Sequence, residues 1–253
     1  MRTKQKDILL FLLLAFLMPF FFILCQMNTD HPMLQFLFYG LEAASPSMAA
    51  LMVLGKNKQL HSFFKQNFNL KRPAAVLLLP CIISLFPMFL AKLSSLSYVT
   101  AKGFLNFNLQ FIVILWALFA EELGWRGYLQ PYLRENCSRL WHAPVLTGII
   151  WCLWHYHYFY MNGIQVPLLC FVIGCIAESF LYEYLLLWSE GSLLSSMLYH
   201  ASWNFGIHLF AINPIDNAGS ALPYLLMTLF EVCMVLFLLI YYKRQHSQRV
   251  IKK

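Results

Sequence analysis

The chain has 253 residues, of which 60% are hydrophobic and only 11% charged, with a mean hydropathy of +0.62 and a formal net charge of +7. That balance excludes an ordinary soluble domain and reads as an all-α, polytopic integral membrane protein. It gives no support to nucleic-acid binding, because no basic stripe with interleaved aromatics stands apart from the ends of apolar segments, where the lipid bilayer is a sufficient partner.

Apolar windows of about 18 to 22 residues, the length that crosses a hydrocarbon core as helix, recur along the chain, about eight in all. They run Ile8 to Cys25, Met33 to Leu54, Ala74 to Ala91, Asn106 to Leu133, His142 to Tyr160, Ile164 to Trp188, Leu193 to Phe210 and Leu222 to Tyr242. No soluble domain, internal repeat or low-complexity tract interrupts them, so residues 1–253 form a single transmembrane domain.

Cytoplasmic loops collect Lys and Arg. Arg2, Lys4 and Lys6 precede the first span, and Lys56, Lys58, Lys65, Lys71 and Arg72 follow the second. Arg126, Arg134 and Arg139 lie at and beyond the end of the fourth, and Lys243, Arg244, Arg249, Lys252 and Lys253 follow the last; Lys92 and Lys102 fall outside the pattern. Both termini are therefore expected in the cytoplasm, which requires an even number of spans. In a prokaryote the membrane would be the cell membrane.

The first span has the basic start and apolar run of a signal peptide, but its exit, Gln26-Met27-Asn28-Thr29-Asp30, offers no small-residue cleavage site and reads as a retained anchor. Between the second and third spans, Leu60, Phe63, Phe64 and Phe68 recur at roughly helical spacing in a basic segment, which suits either a helix on the cytoplasmic surface or a plain loop. Cys25, Cys81, Cys137, Cys152, Cys170, Cys175 and Cys233 lie mostly inside spans without CxxC pairing, so they read as packing residues.

Charge at bilayer depth must be paired, hydrated or functional. The fourth span carries Glu121-Glu122 and then Arg126. Glu122 and Arg126 are one helical turn apart and share a face, whereas Glu121 points about 100° away. One carboxylate is thus tethered and the other free, and a free carboxylate in a low-dielectric cavity suits a general base. The alternative is that both glutamates only staple helices together. In the fifth span Trp151 stacks over the turn carrying His155, while His157 lies on nearly the opposite face of an unbroken helix, so His155 and His157 do not form a metal pair. In the seventh, His200, Asn204 and His208 make a polar stripe on an apolar helix, suited to chemistry or to interhelical hydrogen bonds. Glu121, His155 and His200 come out about 12 to 20 Å from the cytoplasmic face, so one cavity can hold all three. Glu42, Glu178, Glu183 and Glu231 are further intramembrane acids with no basic partner at helical spacing, expected as protonated packing residues or as the lining of a water path.

EELGWR as EExxxR, WCLWH as aromatic-xxx-His and HASWN as HxxxN, in this order over about 106–210, resemble the motif set of the CPBP family, also called Abi. That family includes the type II CAAX prenyl endopeptidases and proteins linked to bacteriocin processing and immunity. Its second motif often begins with Phe, where this chain has Trp151. The resemblance implies an intramembrane endopeptidase acting on a membrane-associated peptide or protein, prenylated CAAX-type or bacteriocin-like. In that scheme Glu121 and His155 activate water, His200 and Asn204 polarise the scissile carbonyl and hold its oxyanion, and Glu122 with Arg126 orients the base. No HExxH pair is present, so no cofactor is expected. The alternative is zinc held by two histidines with carboxylates on separate helices.

Two other classes meet the same residues. A proton-coupled carrier keeps acids and histidines at mid-membrane but commonly shows repeated halves, which are absent here. A non-catalytic immunity or scaffold protein would keep the polar cluster as a structural network.

Overall fold

The computed structural model describes residues 2–68, 77–95, 109–139, 141–160 and 165–251. Lys71, Arg72, Lys102, Lys252 and Lys253 lie outside the described residues, as do the expected span starts at Ala74, Asn106 and Ile164. Every regular element among the described residues is helical. The helices are α1 (Arg2–Met27), α2 (Pro32–Ala43), α3 (Ser45–Lys56), α4 (Leu60–Asn67), α5 (Leu78–Ser94), α6 (Leu109–Ala120) and α7 (Glu122–Gly124). A π-helical turn (Trp125–Leu129) leads into α8 (Gln130–Asn136), α9 (His142–Trp154), α10 (Tyr156–Tyr160), α11 (Leu168–Trp188), α12 (Leu193–Leu209) and α13 (Leu222–Ile251).

Three stretches are each long and apolar enough to cross a membrane: Gln5–Met27, Leu168–Trp188 and Leu222–Tyr241. The outward faces of the first and last of these, and of the shorter apolar helix α5, carry apolar side chains at helical spacing. Leu9, Leu13 and Leu17 on α1 are all more than half exposed, as are Leu78, Ile82 and Phe86 on α5 and Leu229 and Leu236 on α13. Water would penalise such continuous apolar stripes, whereas hydrocarbon accepts them. The chain is therefore an integral membrane protein.

Three of the expected unbroken spans are broken, two of them for a local reason. Residues 33–54 form α2 and α3, bent by 62° at Ala44. Pro46 lacks an N–H for the carbonyl of Glu42, and its ring clashes with that carbonyl in a straight helix. The span 106–133 breaks at Glu121 and then widens into the π-helical turn, where the amide of Gln130 reaches back to the carbonyl of Trp125. Such single π turns often mark functional sites. The span 142–160 breaks at His155. The imidazole Nδ1 donates to the Trp151 carbonyl at 2.7 Å, taking the acceptor that the His155 amide would use, and that amide turns to the Cys152 carbonyl instead at 3.1 Å. The basic segment after α3 is helical as α4, with Phe63 buried and Phe64 exposed.

Glycines set the closest approaches around the broken spans. A Cβ on Gly124 would lie 2.5 Å from the backbone carbonyl of Pro46, so the turn after Glu122 is pressed against the start of α3. A Cβ on Gly148 would lie 2.7 Å from Ile176 Cα, so α9 and α11 meet almost backbone to backbone. Phe11, Trp125, Trp154, Tyr182 and Tyr199 fill the space between these contacts as an aromatic core.

Candidate active site

The break at Glu121 and the turn that follows send two consecutive carboxylates to different partners. Glu122 Oε1 accepts from Arg126 Nη1 at 3.2 Å and from His200 Nδ1 of α12 at 2.8 Å. Glu121 Oε2 accepts from the indole Nε1 of Trp151 at 2.7 Å. The ion pair expected between Glu122 and Arg126 is present. Glu121, expected free, is held by an indole N–H. Glu122, expected with Arg126 to orient the base, also accepts from His200.

Arg126 is fully buried, with its guanidinium 4.1 Å from the centre of the Trp151 ring and 3.6 Å from that of Tyr182. Its Nε and Nη2 have no hydrogen-bond partner among the described residues, so the two aromatic faces stand where acceptors usually do. Cation–π contacts in a desolvated setting are worth about 2 kcal/mol or more. This sandwich fixes the Trp151 ring and, through its N–H, the Glu121 carboxylate.

Trp151 is thus a hub. Its indole donates to Glu121, its carbonyl accepts from His155, its face carries Arg126, and its ring centre lies 6.2 Å from that of His200. A carbonyl only accepts, so His155 Nδ1 carries its proton and the neutral ring presents Nε2 as a lone pair. The His155 ring sits among Trp151, Trp154, Tyr158 and Phe171, all with centroids within 5.5 Å. His200 likewise directs Nδ1 to Glu122 and leaves Nε2 for other partners. Asn204 lies one turn further along α12 and is partly exposed. His208 lies beyond this group, with Asp216 at 3.1 Å.

Sequence reasoning valued Trp151 only as a ring. The signal it missed was the indole N–H, a donor that needs a partner when buried. It also left the remaining acids unpartnered, and three of them find donors on other helices. Glu183 accepts from Arg134 at 2.6 and 2.7 Å and from Gln130 at 2.6 Å. Glu42 accepts from Gln26 at 2.7 Å and lies 2.5 Å from His157 Nδ1. Glu231 accepts from Trp203 at 3.3 Å. His157 therefore faces away from the Trp151 hub.

A zinc site needs three or more ligands gathered in one place. Among the described residues no three His, Cys, Asp or Glu side chains are so gathered, and the Nδ1 atoms of both His155 and His200 are already engaged.

A buried carboxylate held by a donor, two histidines with free Nε2 atoms and an amide side chain on the same helix are the parts of a membrane-embedded hydrolase. Residues 103–206, which contain all of them, match the family model described as "Type II CAAX prenyl endopeptidase Rce1-like". Over 194 residues the chain is 28% identical to "CAAX prenyl protease 2" of Methanococcus maripaludis, an alignment covering 68% of this chain and 71% of that protein. Both similarities point the same way as the resemblance to the CPBP family that the three motifs carry.

Proposed function

We propose that this protein is an intramembrane endopeptidase that cleaves a membrane-associated, CAAX-type substrate with Glu121 as general base. The observation that carries the reading is the Trp151 hub, which holds Glu121 and His155 on one side chain and sets His200 beside them. The match of residues 103–206 to that family model and the name of the archaeal relative support the substrate class.

In this mechanism Glu121 takes a proton from a water molecule whose second hydrogen is held by His155 Nε2. The water oxygen bonds to the scissile carbonyl carbon, and the carbonyl π pair moves onto oxygen. Asn204 and His200 Nε2 donate to that oxyanion, the latter when the ring carries both protons, a charge that Glu122 offsets. Collapse restores the C=O bond and breaks the C–N bond, and the leaving amine takes the proton from Glu121. Donors placed in advance for an oxyanion are each worth about 100-fold or more in rate. No step passes through a metal.

The domain arrangement that suits this reading is a single transmembrane domain of about eight spans with both termini cytoplasmic. The bent α2–α3 pair and the broken spans at Glu121 and His155 would each count as one crossing.

The test is cleavage of a prenylated CAAX peptide by purified protein in liposomes, followed by mass spectrometry, with the unprenylated peptide alongside. Wild type should create one new terminus, and Glu121→Gln and His155→Ala should not. Full cleavage by both variants would sink the mechanism, and would return the polar cluster to a structural role. 1,10-Phenanthroline should leave the rate unchanged; loss of activity restored by zinc would make the enzyme a metalloprotease.

A further inference from the structure

His155 lies in the gap between α9 and α10, where the regular hydrogen-bond ladder stops. A residue at such a break takes its position from whatever holds the chain on either side. Here both sides are held by the first two helices. Trp154 Nε1 donates to the Ala15 carbonyl at 2.9 Å, and the Tyr156 hydroxyl donates to the Phe16 carbonyl at 3.1 Å. Next comes His157, whose Nδ1 faces Glu42 Oε1, while Gln26 holds the other oxygen of that carboxylate.

The contact between His157 and Glu42 differs from the other two in kind. Both side chains are fully buried and both can ionise. His157 Nε2 has no hydrogen-bond partner among the described residues. The polar orientation of this ring therefore comes from Glu42. The ring in turn packs edge-on against Trp154, with centroids 4.7 Å apart, so it braces the residue on the other side of His155. Glu42 sits at the end of α2, just before the bend at Ala44, and lies outside the matched residues 103–206.

We infer that Glu42 and His157 are a positioning pair, through which α1 and α2 hold His155 in place for water activation. The inference rests on the reading of His155 as part of the reaction. The pair touches neither substrate nor water; it fixes the backbone that carries the imidazole. Misplacement of a reacting group by about 1 Å can lower a rate about 100-fold without weakening substrate binding.

The experiment compares kcat and KM on the liposome peptide assay for Glu42→Leu, Glu42→Gln, His157→Leu, His157→Asn and His155→Ala, with the thermal midpoint of each measured in detergent. Asn places its amide nitrogen on Cγ, where the imidazole has Nδ1, so His157→Asn keeps the donor to Glu42. Both Leu variants should lose about tenfold or more in kcat with KM within about twofold of wild type. His157→Asn and Glu42→Gln, which keep a donor and an acceptor, should recover most of that loss. If a Leu variant fails to fold, the polar pair still decides, through kcat compared with wild type. Wild-type kcat in both Leu variants, with His155→Ala inactive, would overturn the inference and leave the proposed function standing. So would a His157→Asn variant no better than His157→Leu. Full activity in His155→Ala would overturn both.

Discussion

Replacing Trp151 by Phe tests the central claim about the base. The family pattern often has Phe at this motif position, so a reading of the sequence expects little change. The structure expects a large one. Phe keeps an aromatic face for Arg126 but removes the N–H that Glu121 Oε2 accepts at 2.7 Å, in a site where the carboxylate is buried. Hydrogen bonds to charged groups contribute about 1.5–3 kcal/mol. If that whole amount is lost from the transition state, kcat/KM falls about 10- to 150-fold, at about 1.4 kcal/mol per factor of ten. The smaller ring also leaves a void beside Tyr182, which costs about 1–2 kcal/mol of stability and lowers the thermal midpoint by a few degrees. The assay is peptide cleavage in liposomes under kcat/KM conditions, corrected for the folded fraction from size exclusion and thermal unfolding. A well-folded Trp151→Phe enzyme with kcat/KM within about twofold of wild type would refute the argument that the indole N–H orients Glu121.

Other outcomes follow from the same geometry. Arg126→Lys keeps the charge but not the planar group stacked between Trp151 and Tyr182, so activity should fall about tenfold or more and the thermal midpoint should drop; unchanged values of both would show that only the charge matters. Gly148→Val should force α9 from α11, because its Cβ would begin 2.7 Å from Ile176 Cα, with a loss of about 1–3 kcal/mol or failure to accumulate in membranes. Wild-type yield and melting behaviour in that variant would mean that the helices separate without cost.

The membrane class, the apolar helices and the motif-bearing residues were legible in the sequence because hydrocarbon imposes its length and polarity rules on every span. The Glu122–Arg126 pair was legible too, since it depends only on spacing within one turn. What spacing could not supply was the breaks. Periodicity treats 106–133 and 142–160 as continuous, but the first stops at Glu121 and the carbonyl taken by the His155 ring interrupts the second. Pairing across helices was equally hidden. Glu42 meets His157 across 115 residues, Glu122 meets His200 across 78, and Glu121 meets Trp151 across 30. A buried acid must find a donor, and the sequence by itself determined that it would. Which donor it found was decided only when α3, α9 and α12 packed around the turn at Glu121, because partner choice depends on distances that the order of residues does not contain.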